Sequence, residues 1–390
     1  MGKKTNNSKV CIVGGAGHIG LPLSCFLQNK GLNVKIVDNN SKALKMLSAG
    51  MPTFYEAMLE ENLKNALSNG LTFTNDIQKI KDSKFVIVTI GTASNKKSVT
   101  LFNNLIEDVL NHIDKNSYLL LRSTVTKKDI ESIKNNSNFN EKKINLSYCP
   151  ERIAEGIAFE ELNKLPQIIG TENDEVDNTI KEFFYNLDIE TIFTSFDNAI
   201  FIKLFSNAYR HANFSLTNEF FNIATANNLD FENILKISTY KYPRLANLPK
   251  TGYVGGPCLP KDLDTFIKSY DVNNSLLNKV ENVNETFIDN IVSNCLRLFK
   301  DGKIIQLGLT FKENSDDLRG SGSIVLNKKL KDNDFEVYAV DPLVNKEEVD
   351  FELFDFSEAI NHSKNIIVSV NHKVFHDLDF SNKKILYAEI

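Results

Sequence analysis

Residues 9–38 read KVCIVGGAGHIGLPLSCFLQNKGLNVKIVD, and this stretch decides the fold of the first part of the chain. An apolar run is followed by a glycine-rich turn and by a segment with apolar residues at helical spacing. Gly31 ends that segment, and a second apolar run leads to Asp38. A change from strand spacing to helix spacing and back is typical of two parallel strands joined by a helix. The stretch therefore predicts a βαβ unit.

The turn of this unit contains three glycines in the spacing G-x-G-x-x-G. They are Gly15, Gly17 and Gly20, with His18 and Ile19 inside the turn. Glycines let the backbone approach a pyrophosphate, which the free N–H groups at the helix N-terminus then bind. Asp38 stands where a carboxylate accepts hydrogen bonds from the ribose hydroxyls and repels a 2′-phosphate. The pattern predicts an NAD site; a purely structural turn is the alternative, and His18 is more typical of a helix start than of catalysis.

Length and composition limit the class of protein. The chain has 390 residues, which is long for one hydrophobic core and predicts two or three domains. A formal net charge of -5 offers no basic face for nucleic acid, and no apolar run reaches the roughly 20 residues of a membrane span. The first residues lack the apolar core of a signal peptide, and five cysteines are scattered without paired spacing. We therefore expect a cytoplasmic, reduced protein that binds neither nucleic acid nor membrane, and we expect no metal site.

Short apolar runs continue to alternate with helical segments after the first unit. They stand at residues 85–90, 117–123, 144–149 and 166–170. Because no hairpin-type turns separate them, the alternation indicates a parallel sheet with helices on its faces. Residues 198–228 lack proline and glycine and keep apolar residues at helical spacing around most of the circumference. They predict a long helix buried between domains or subunits.

The C-terminal part of the chain returns to strands near residue 301. Four apolar runs, KIIQLGLTF, EVYAVDP, NIIVSV and KILYAEI, predict a second, smaller α/β domain with a helix between the first two strands. The sequence therefore predicts an α/β protein in which two Rossmann-like parallel-sheet domains are joined by a central long-helix region. The expected boundaries are 1–196, 197–300 and 301–390.

Lys203 and Asn207 stand four residues apart on the predicted long helix, so they share one of its faces. A solvated lysine beside an asparagine at the edge of the core is one interpretation. The flanking sequence FIKLFSNAY is apolar, however, and a bare ammonium group there is costly without a partner. A substrate anion or oxyanion could supply that partner.

Cys258 lies in the stretch GGPCLPKD, residues 255–262, between two prolines and after a pair of glycines. Pro260 suits the first turn of a helix, and Lys261 adds a positive charge. A helix N-terminus and a nearby cation both lower the pKa of a thiol, and Asp262 would lie one helical turn from the sulfur. A reactive nucleophile is one interpretation, and a small buried hydrophobe is the other. The other four cysteines lie in apolar strands or helices, which favours packing.

A charged loop, FKENSDDLRGS at residues 311–321, follows the first strand of the C-terminal domain. It lacks the G-x-G-x-x-G spacing, so this domain is not a second copy of the first site. Lys312 and Arg319 could bind phosphate, or the segment could be a charged surface loop.

Several motifs resemble those of the UDP-glucose/GDP-mannose dehydrogenase family of nucleotide-sugar dehydrogenases. They are GGAGHIGLPL (14–23), RSTV (122–125), CPERIAEG (149–156), KLFSNAYR (203–210), GGPCLPKD (255–262) and LGLTFKENSDDLRGS (307–321). They follow the family's order over nearly the whole chain. Members of this family oxidise the C6 hydroxyl of a nucleotide-bound hexose to a carboxylate, with two NAD per turnover and a cysteine that forms a thiohemiacetal and then a thioester.

The resemblance implies a role for each matching residue. Cys258 would be the nucleophile, and Lys203 and Asn207 would stabilise the oxyanions at C6. Asp262 and Thr124 would orient or activate the water that hydrolyses the thioester, with Glu155 as a second candidate. The residues implied in NAD binding are Gly15, Gly17, His18, Ile19, Gly20, Asp38, Thr92, Ser123, Thr124 and Arg319. The residues implied in nucleotide-sugar binding are Glu151, Arg152, Lys203, Asn207, Arg244, Tyr253, Gly255, Gly256, Phe311 and Lys312.

The family consists of an NAD domain, a central helical dimerisation region and a nucleotide-sugar domain, so the resemblance implies a homodimer through the central helix. This chain departs from the family pattern at two places. Residues 91–94 read GTAS where Thr-Pro is common, so Thr92 would keep the contact without the proline. Gly320 and Gly322 stand where Glu and Pro are common, which would loosen the start of the helix that follows.

The choice of substrate rests on the segment PERIAEG. It is closer to the branch that acts on UDP-N-acetylhexosamines than to the form PEFLREG of the UDP-glucose branch, which favours UDP-ManNAc or UDP-GlcNAc and leaves UDP-glucose as the alternative. A single-step 3-hydroxyacid dehydrogenase shares the Rossmann domain, the long helix and the Lys/Asn pair, but it needs no cysteine and does not account for the C-terminal domain. A non-catalytic relative that binds NAD or a nucleotide sugar is a further alternative, although all candidate catalytic residues are present.

Overall fold

The computed structural model describes residues 9–92 and 96–388, and the chain divides into two compact units, Met1–Leu204 and Phe205–Ile390. The strands of the first unit are β1 Lys9–Val13, β2 Asn33–Val37, β3 Thr72–Thr74, β4 Phe85–Val88, β5 Tyr118–Leu121, β6 Asn145–Tyr148, β7 Gln167–Gly170 and β8 Thr191–Thr194. Its helices are α1 Gly20–Asn29, α2 Ser41–Ser48, α3 Leu59–Ser68, α4 Lys96–His112, α5 Lys127–Lys134, α6 Ser137–Glu141, α7 Ala158–Lys164 and α8 Asp174–Tyr185. The helix α9, Phe196–Ala226, begins in the first unit and ends in the second.

The first unit contains an eight-stranded sheet in the order β3-β2-β1-β4-β5-β6-β7-β8. Its strands run parallel, except that β6 and β7 are antiparallel and pair only through Tyr148 and Gly170. The strand order reverses at β1, and parallel α/β sheets bind ligands outside the carboxyl ends of their strands at such a point. The glycine-rich turn follows β1 directly, so the fold places it at this position.

The second unit contains a four-stranded parallel sheet in the order β10-β9-β11-β12. Its elements after α9 are α10 Phe231–Thr239, α11 Leu259–Ser269, α12 Val280–Leu298, β9 Lys303–Leu307, α13 Gly322–Asp332, β10 Glu336–Val340, α14 Phe356–Ala359, β11 Asn365–Val368 and β12 Lys384–Tyr387. The predicted fold class is therefore confirmed, including the second α/β unit and a long helix, which runs from 196 to 226 where 198–228 was predicted.

The helix α12 belongs to the core of the second unit. Phe287 and Ile291 are buried together with Ile304 of β9 and Leu326 of α13. The helix α12 thus packs against the C-terminal sheet, and the chain divides into two compact units. The predicted division into three domains, with boundaries at 196 and 300, stays a prediction. Among the described residues, no helix is both long and apolar enough to cross a membrane.

Candidate active site

The glycine-rich turn brings the N-terminus of α1 close to the end of β1. A methyl group on Gly20 would lie 2.4 Å from the carbonyl oxygen of Gly14 and 2.7 Å from the hydroxyl of Thr89, so a glycine is required for this close packing. A methyl group on Gly17 would instead meet only the carbonyl oxygen of Gly14, at 3.6 Å. The space above Gly17 is therefore open at the point where the first N–H groups of α1 lack intrahelical acceptors, which fits a pyrophosphate.

Asp38 lies at the end of β2, beside this turn. One carboxylate oxygen accepts from the N–H of Ala16 at 3.1 Å, and the other accepts from the N–H of Asn40 at 2.9 Å. The carboxylate is thus anchored next to the turn, as required for a contact with the ribose of NAD. Thr89, which the sequence analysis did not single out, donates from its hydroxyl to the carbonyl oxygens of Val13 and Gly14 at 3.1 Å each. Its position at the end of an apolar run was the available signal.

His18 of the turn contacts the segment that contains Glu155. Its Nδ1 atom lies 3.1 Å from a carboxylate oxygen of Glu155, and its ring stacks on Phe54 with the centroids 4.0 Å apart. Ile19 is the N-cap residue of α1. His18 thus links the candidate cofactor turn to a candidate catalytic base, which gives it more contacts than a helix-start residue needs.

Glu56 holds the segment around Glu155 in place. Its carboxylate is buried and accepts from the N–H groups of Gly156 at 2.6 Å and Ala158 at 3.0 Å. Ala158 is the first residue of α7, so the negative charge also lies at a helix N-terminus, where it is favoured. Glu56 was not predicted from the sequence, because its partners lie about one hundred positions further along the chain.

Thr92, Ser123 and Thr124 lie near the ends of β4 and β5. The hydroxyl of Thr92 donates to the carbonyl oxygen of Thr124 at 2.9 Å, while Ser123 is buried and Thr124 is half-buried. The structure therefore brings these three predicted cofactor residues together. The Ala-Ser part of the GTAS departure falls within residues 93–95, which lie outside the described residues.

Glu151 forms a buried ion pair with Arg122, a residue that the sequence analysis did not name. The guanidinium donates to one carboxylate oxygen of Glu151, and its Nη1 atom donates to Gln167 at 2.7 Å. The other oxygen of Glu151 accepts from the N–H groups of Arg152 and Ile153 at 2.8 Å each. The carboxylate thus fixes the backbone before Glu155, and the guanidinium of Arg152 donates to the carbonyl oxygen of Pro166.

Lys203 and Asn207 both lie on α9 and are both buried, with exposed fractions of 8% and 7%. The ammonium group of Lys203 donates to the backbone carbonyl oxygen of Glu151 at 2.6 Å. The structure thus contains one partner for this cation within the chain, and a substrate anion as a further partner stays a prediction. In the second unit, the amide of Asn207 donates to a carboxylate oxygen of Asp262 at 2.6 Å.

Cys258 is exposed and is the N-cap residue of α11, which confirms the predicted helix start. Pro260 lies in the first turn, and the N–H of Asp262 donates to the carbonyl oxygen of Cys258 at 2.9 Å. Asp262 is fully buried, and its other carboxylate oxygen lies 3.0 Å from the ammonium group of Lys261. One helical turn therefore joins an exposed thiol to a buried carboxyl group that is bonded to Asn207.

The other four cysteines differ from Cys258 in burial. Burial raises the pKa of each of them to about 12, so they stay protonated near neutral pH. These residues are Cys11, Cys25, Cys149 and Cys295. A thiolate is the nucleophilic form of cysteine, so Cys258 is the one of the five that burial leaves able to react.

The second unit contains a cavity of about 550 Å³, a size typical of small-molecule sites. Four predicted substrate residues line it: Tyr253, Gly255, Phe311 and Lys312. Arg210, Lys250 and Asn371 also line the cavity and were not predicted. Burial and the carboxyl groups of Glu281 and Glu285 raise the pKa of Tyr253 to about 12, so its hydroxyl remains a hydrogen-bond donor.

The loop with Phe311 and Lys312 is held by His372, which is fully buried. The Nδ1 atom of His372 accepts from the N–H of Asn314 at 2.8 Å, and its Nε2 atom lies 3.1 Å from a carboxylate oxygen of Asp341. This arrangement was not predicted, because His372 follows an apolar strand without any motif of its own.

Two further predicted residues lie outside the lining of the cavity. Arg244 is exposed, and its guanidinium lies over the ring of Tyr242 at 5.4 Å. Arg319 is also exposed and is paired with Asp317, with its Nε atom 2.9 Å from each carboxylate oxygen. The roles of both stay predictions.

The loops around Gly255 and Gly320 meet backbone to backbone. A methyl group on Gly255 would lie 2.4 Å from the carbonyl oxygen of Gly320, and the N–H of Gly256 donates to that oxygen at 3.1 Å. Gly320 has a φ angle of +63°, and Ser321 caps α13 by accepting from the N–H groups of Ser323 and Ile324. The glycines expected to loosen this helix start thus accompany a capped helix.

Three family models match the chain over most of its length. The NAD binding domain of the UDP-glucose/GDP-mannose dehydrogenase family matches residues 8–188, the central domain matches 197–286 and the UDP binding domain matches 306–388. The chain belongs to this family. It is an NAD-dependent oxidoreductase of the nucleotide-sugar 6-dehydrogenase class, and the glycine-rich turn lies within the matched NAD binding domain.

Individual members of the family are similar to this chain over most of their length. A UDP-N-acetyl-D-mannosamine dehydrogenase from Methanocaldococcus jannaschii is 26% identical, with 98% of this chain and 90% of that protein covered. A UDP-glucose 6-dehydrogenase from Rickettsia bellii is 28% identical over 84% of this chain and 80% of its own. The native structure of the UDP-N-acetyl-mannosamine dehydrogenase from Staphylococcus aureus is 27% identical, with a TM-score of 0.84 and coverage of 97% and 93%.

Proposed function

We propose that the chain oxidises the C6 hydroxyl of a UDP-N-acetylhexosamine, UDP-ManNAc or UDP-GlcNAc, to a carboxylate with NAD as acceptor. The observation that carries this proposal is the start of α11, where the exposed Cys258 precedes the buried Asp262 and its partner Asn207. The relatives named UDP-N-acetyl-D-mannosamine dehydrogenase support the choice of sugar.

The reaction removes four electrons in two oxidations. The first converts the C6 alcohol to an aldehyde, with loss of a hydride from carbon and of a proton from oxygen. The thiolate of Cys258 then adds to the aldehyde carbon, and loss of a second hydride from this thiohemiacetal gives a thioester. Water adds to the thioester and expels the thiolate, which leaves the carboxylate. NAD supplies the acceptor for each hydride when bound.

The chain's polar groups supply charge stabilisation and water activation. The ammonium of Lys203 and the amide of Asn207 donate to the oxyanion that forms at C6, where preorganised donors are worth several kcal/mol. Asp262 and Thr124 orient or activate the attacking water, with Glu155 as the alternative base. The burial of Lys203 and Asn207 supports these assignments, since hydrogen bonds are stronger where water is excluded.

Ligand assignments follow the two units. We assign the NAD pyrophosphate to the turn of Gly15, Gly17 and Gly20 and its ribose to Asp38, because the open space above Gly17 and the anchored carboxylate suit these groups. We assign the nucleotide sugar to the cavity of the second unit. Tyr253, Phe311 and Lys312 line it, and the cation and ring suit a phosphate and a base.

The test is a substrate screen that follows NADH absorbance with UDP-ManNAc, UDP-GlcNAc, UDP-GalNAc, UDP-glucose and GDP-mannose. The proposal predicts two NADH per sugar for a UDP-N-acetylhexosamine, and no uronate from the Cys258→Ser variant. A preference for UDP-glucose would overturn the choice of sugar. One NADH per substrate would instead indicate a single-step dehydrogenase, and binding without NADH formation would indicate a non-catalytic relative.

We also propose a homodimer in a reducing, cytoplasmic setting. A row of large apolar side chains on α9 is 46–57% exposed, and burial of such a row by a second copy would be favourable. These residues are Phe205, Tyr209, Leu216, Phe220 and Ile223. Light scattering of the wild-type protein would give twice the mass of one chain, and the Phe220→Glu variant would give the mass of a single chain. Five free cysteines support the reducing compartment.

A further inference from the structure

Two buried asparagines hold the segment 251–255, which lines the cavity of the second unit and has no regular secondary structure. Asn218 of α9 donates from its amide to the carbonyl oxygen of Gly252 at 2.7 Å and accepts from the N–H of Gly252 at 2.9 Å. Asn284 of α12 does the same at Val254, accepting at 2.7 Å and donating at 2.9 Å. Both asparagine side chains are fully buried.

This pattern is that of a strand edge with side chains in place of the neighbouring strand. In extended backbone, the N–H and C=O groups of alternate residues point to the same edge. The N–H and C=O groups of Gly252 and Val254 are therefore all bonded to the two asparagine amides. In extended backbone, the N–H and C=O groups of Tyr253, the residue between them, would be directed to the opposite edge.

A side-chain amide has one donor and one acceptor in fixed relative positions, so it restrains both polar groups of a peptide residue at once. Two such restraints two residues apart fix both the position and the rotation of the segment. A single hydrogen bond would leave the segment free to rotate. Neither asparagine is among the residues that line the cavity, so both act on it through the segment they hold.

We propose that Asn218 and Asn284 are positioning residues that hold the segment 251–255 in the orientation required for nucleotide-sugar binding. The inference rests on the proposed function, because it assigns the cavity to the nucleotide sugar. Neither asparagine contacts the ligand. Their loss raises the dissociation constant for the nucleotide without changing the affinity for the dinucleotide.

The test uses the variants Asn218→Ala and Asn284→Ala of the full chain. Asn327→Ala is the matched control, because Asn327 is a buried asparagine of the same unit whose amide donates to Gln306 at 2.8 Å. Binding of UDP is measured by titration calorimetry, binding of NADH by its fluorescence, and backbone exchange of residues 250–258 by hydrogen–deuterium exchange.

We expect the first two variants to weaken UDP binding about tenfold or more and to speed exchange in this segment, with NADH affinity unchanged. The control should lose stability without either effect. If exchange accelerates while UDP affinity stays at the wild-type value, the inference is wrong and the proposed function stands. If the wild-type chain binds NADH but not UDP, the proposed function fails and the inference fails with it. Should an alanine variant not fold, Asn284→Asp keeps the acceptor for the N–H of Val254 but places a carboxylate oxygen where the amide donated to the carbonyl oxygen, so it also weakens the restraint.

Discussion

His211 is the buried titratable group whose removal should change the pH dependence of stability. It lies on α9 one turn after Asn207, it is fully buried, and its Nε2 atom is 3.6 Å from a carboxylate oxygen of Glu281. Burial lowers the pKa of His211 from 6.5 to about 4, because the imidazolium form would lose its hydration. The perturbation is the substitution His211→Asn, which keeps a polar side chain and removes the titration.

The sign of the effect follows from proton binding. Between pH 6.5 and about pH 4 the unfolded chain binds a proton at His211 that the folded chain does not. The stability that the folded chain has with a neutral His211 is therefore fully present above pH 6.5 and is lost as the pH falls to about 4. At about 1.4 kcal/mol per pH unit, this amounts to about 3 kcal/mol. Burial raises the pKa of Glu281, and that carboxyl group opposes part of the loss as the pH falls.

The assay is urea unfolding followed by circular dichroism at several pH values from about 7 down to about 4.5. Below pH 6.5 the free energy of unfolding of the wild-type chain should fall more steeply than that of His211→Asn, so the two curves converge as the pH decreases. Parallel curves over this range would refute the reasoning, because they would show that His211 binds its proton equally in both states.

Three further outcomes follow from the geometry. At about pH 8 a thiol reagent should label one cysteine of the folded chain, and Cys258→Ser should abolish the labelling, because burial raises the pKa of the other four thiols to about 12; labelling of a second thiol by mass spectrometry would contradict this. Gly20→Ala should weaken NADH binding about tenfold or more, since its methyl group would lie 2.4 Å from the carbonyl oxygen of Gly14; an unchanged fluorescence titration would count against the close packing. Glu56→Gln should lower the free energy of unfolding by about 1–3 kcal/mol, because the NH2 donor of the new amide would face the N–H donor of Gly156. A change within error in urea unfolding would show that this carboxylate is dispensable.

Local features of the site were predictable from the sequence. Pro260 marked the start of α11, and the spacing from Cys258 to Asp262 gave one helical turn, because both depend on the geometry of a single helix. The βαβ unit was predictable for the same reason. Its hydrophobic period and its glycines act within thirty residues of chain.

Contacts between distant parts of the chain were not predictable in this way. The bond from Asn207 to Asp262 spans 55 positions, and nothing in the spacing of either residue indicates the other. The carboxylate of Glu151 is bonded to Arg122, which lies 29 positions earlier, and nothing in the motif around Glu151 indicates this partner; its role in substrate binding stays a prediction. The strands β3 and β8 escaped notice because they are short and only partly buried, with threonines among their apolar residues.

The contact between Gly255 and Gly320 constrains how the sequence can vary. A methyl group on Gly255 would collide with the carbonyl oxygen of Gly320, and one on Gly320 would lie 2.9 Å from that of Gly256 on a backbone with φ of +63°. A side chain at either glycine would therefore require the backbone of the other loop to move. Gly91, with nothing within 4 Å of an added methyl group, carries no such restriction. In a library of random variants selected for activity, Gly255 and Gly320 should both be retained, and Gly91 should vary freely.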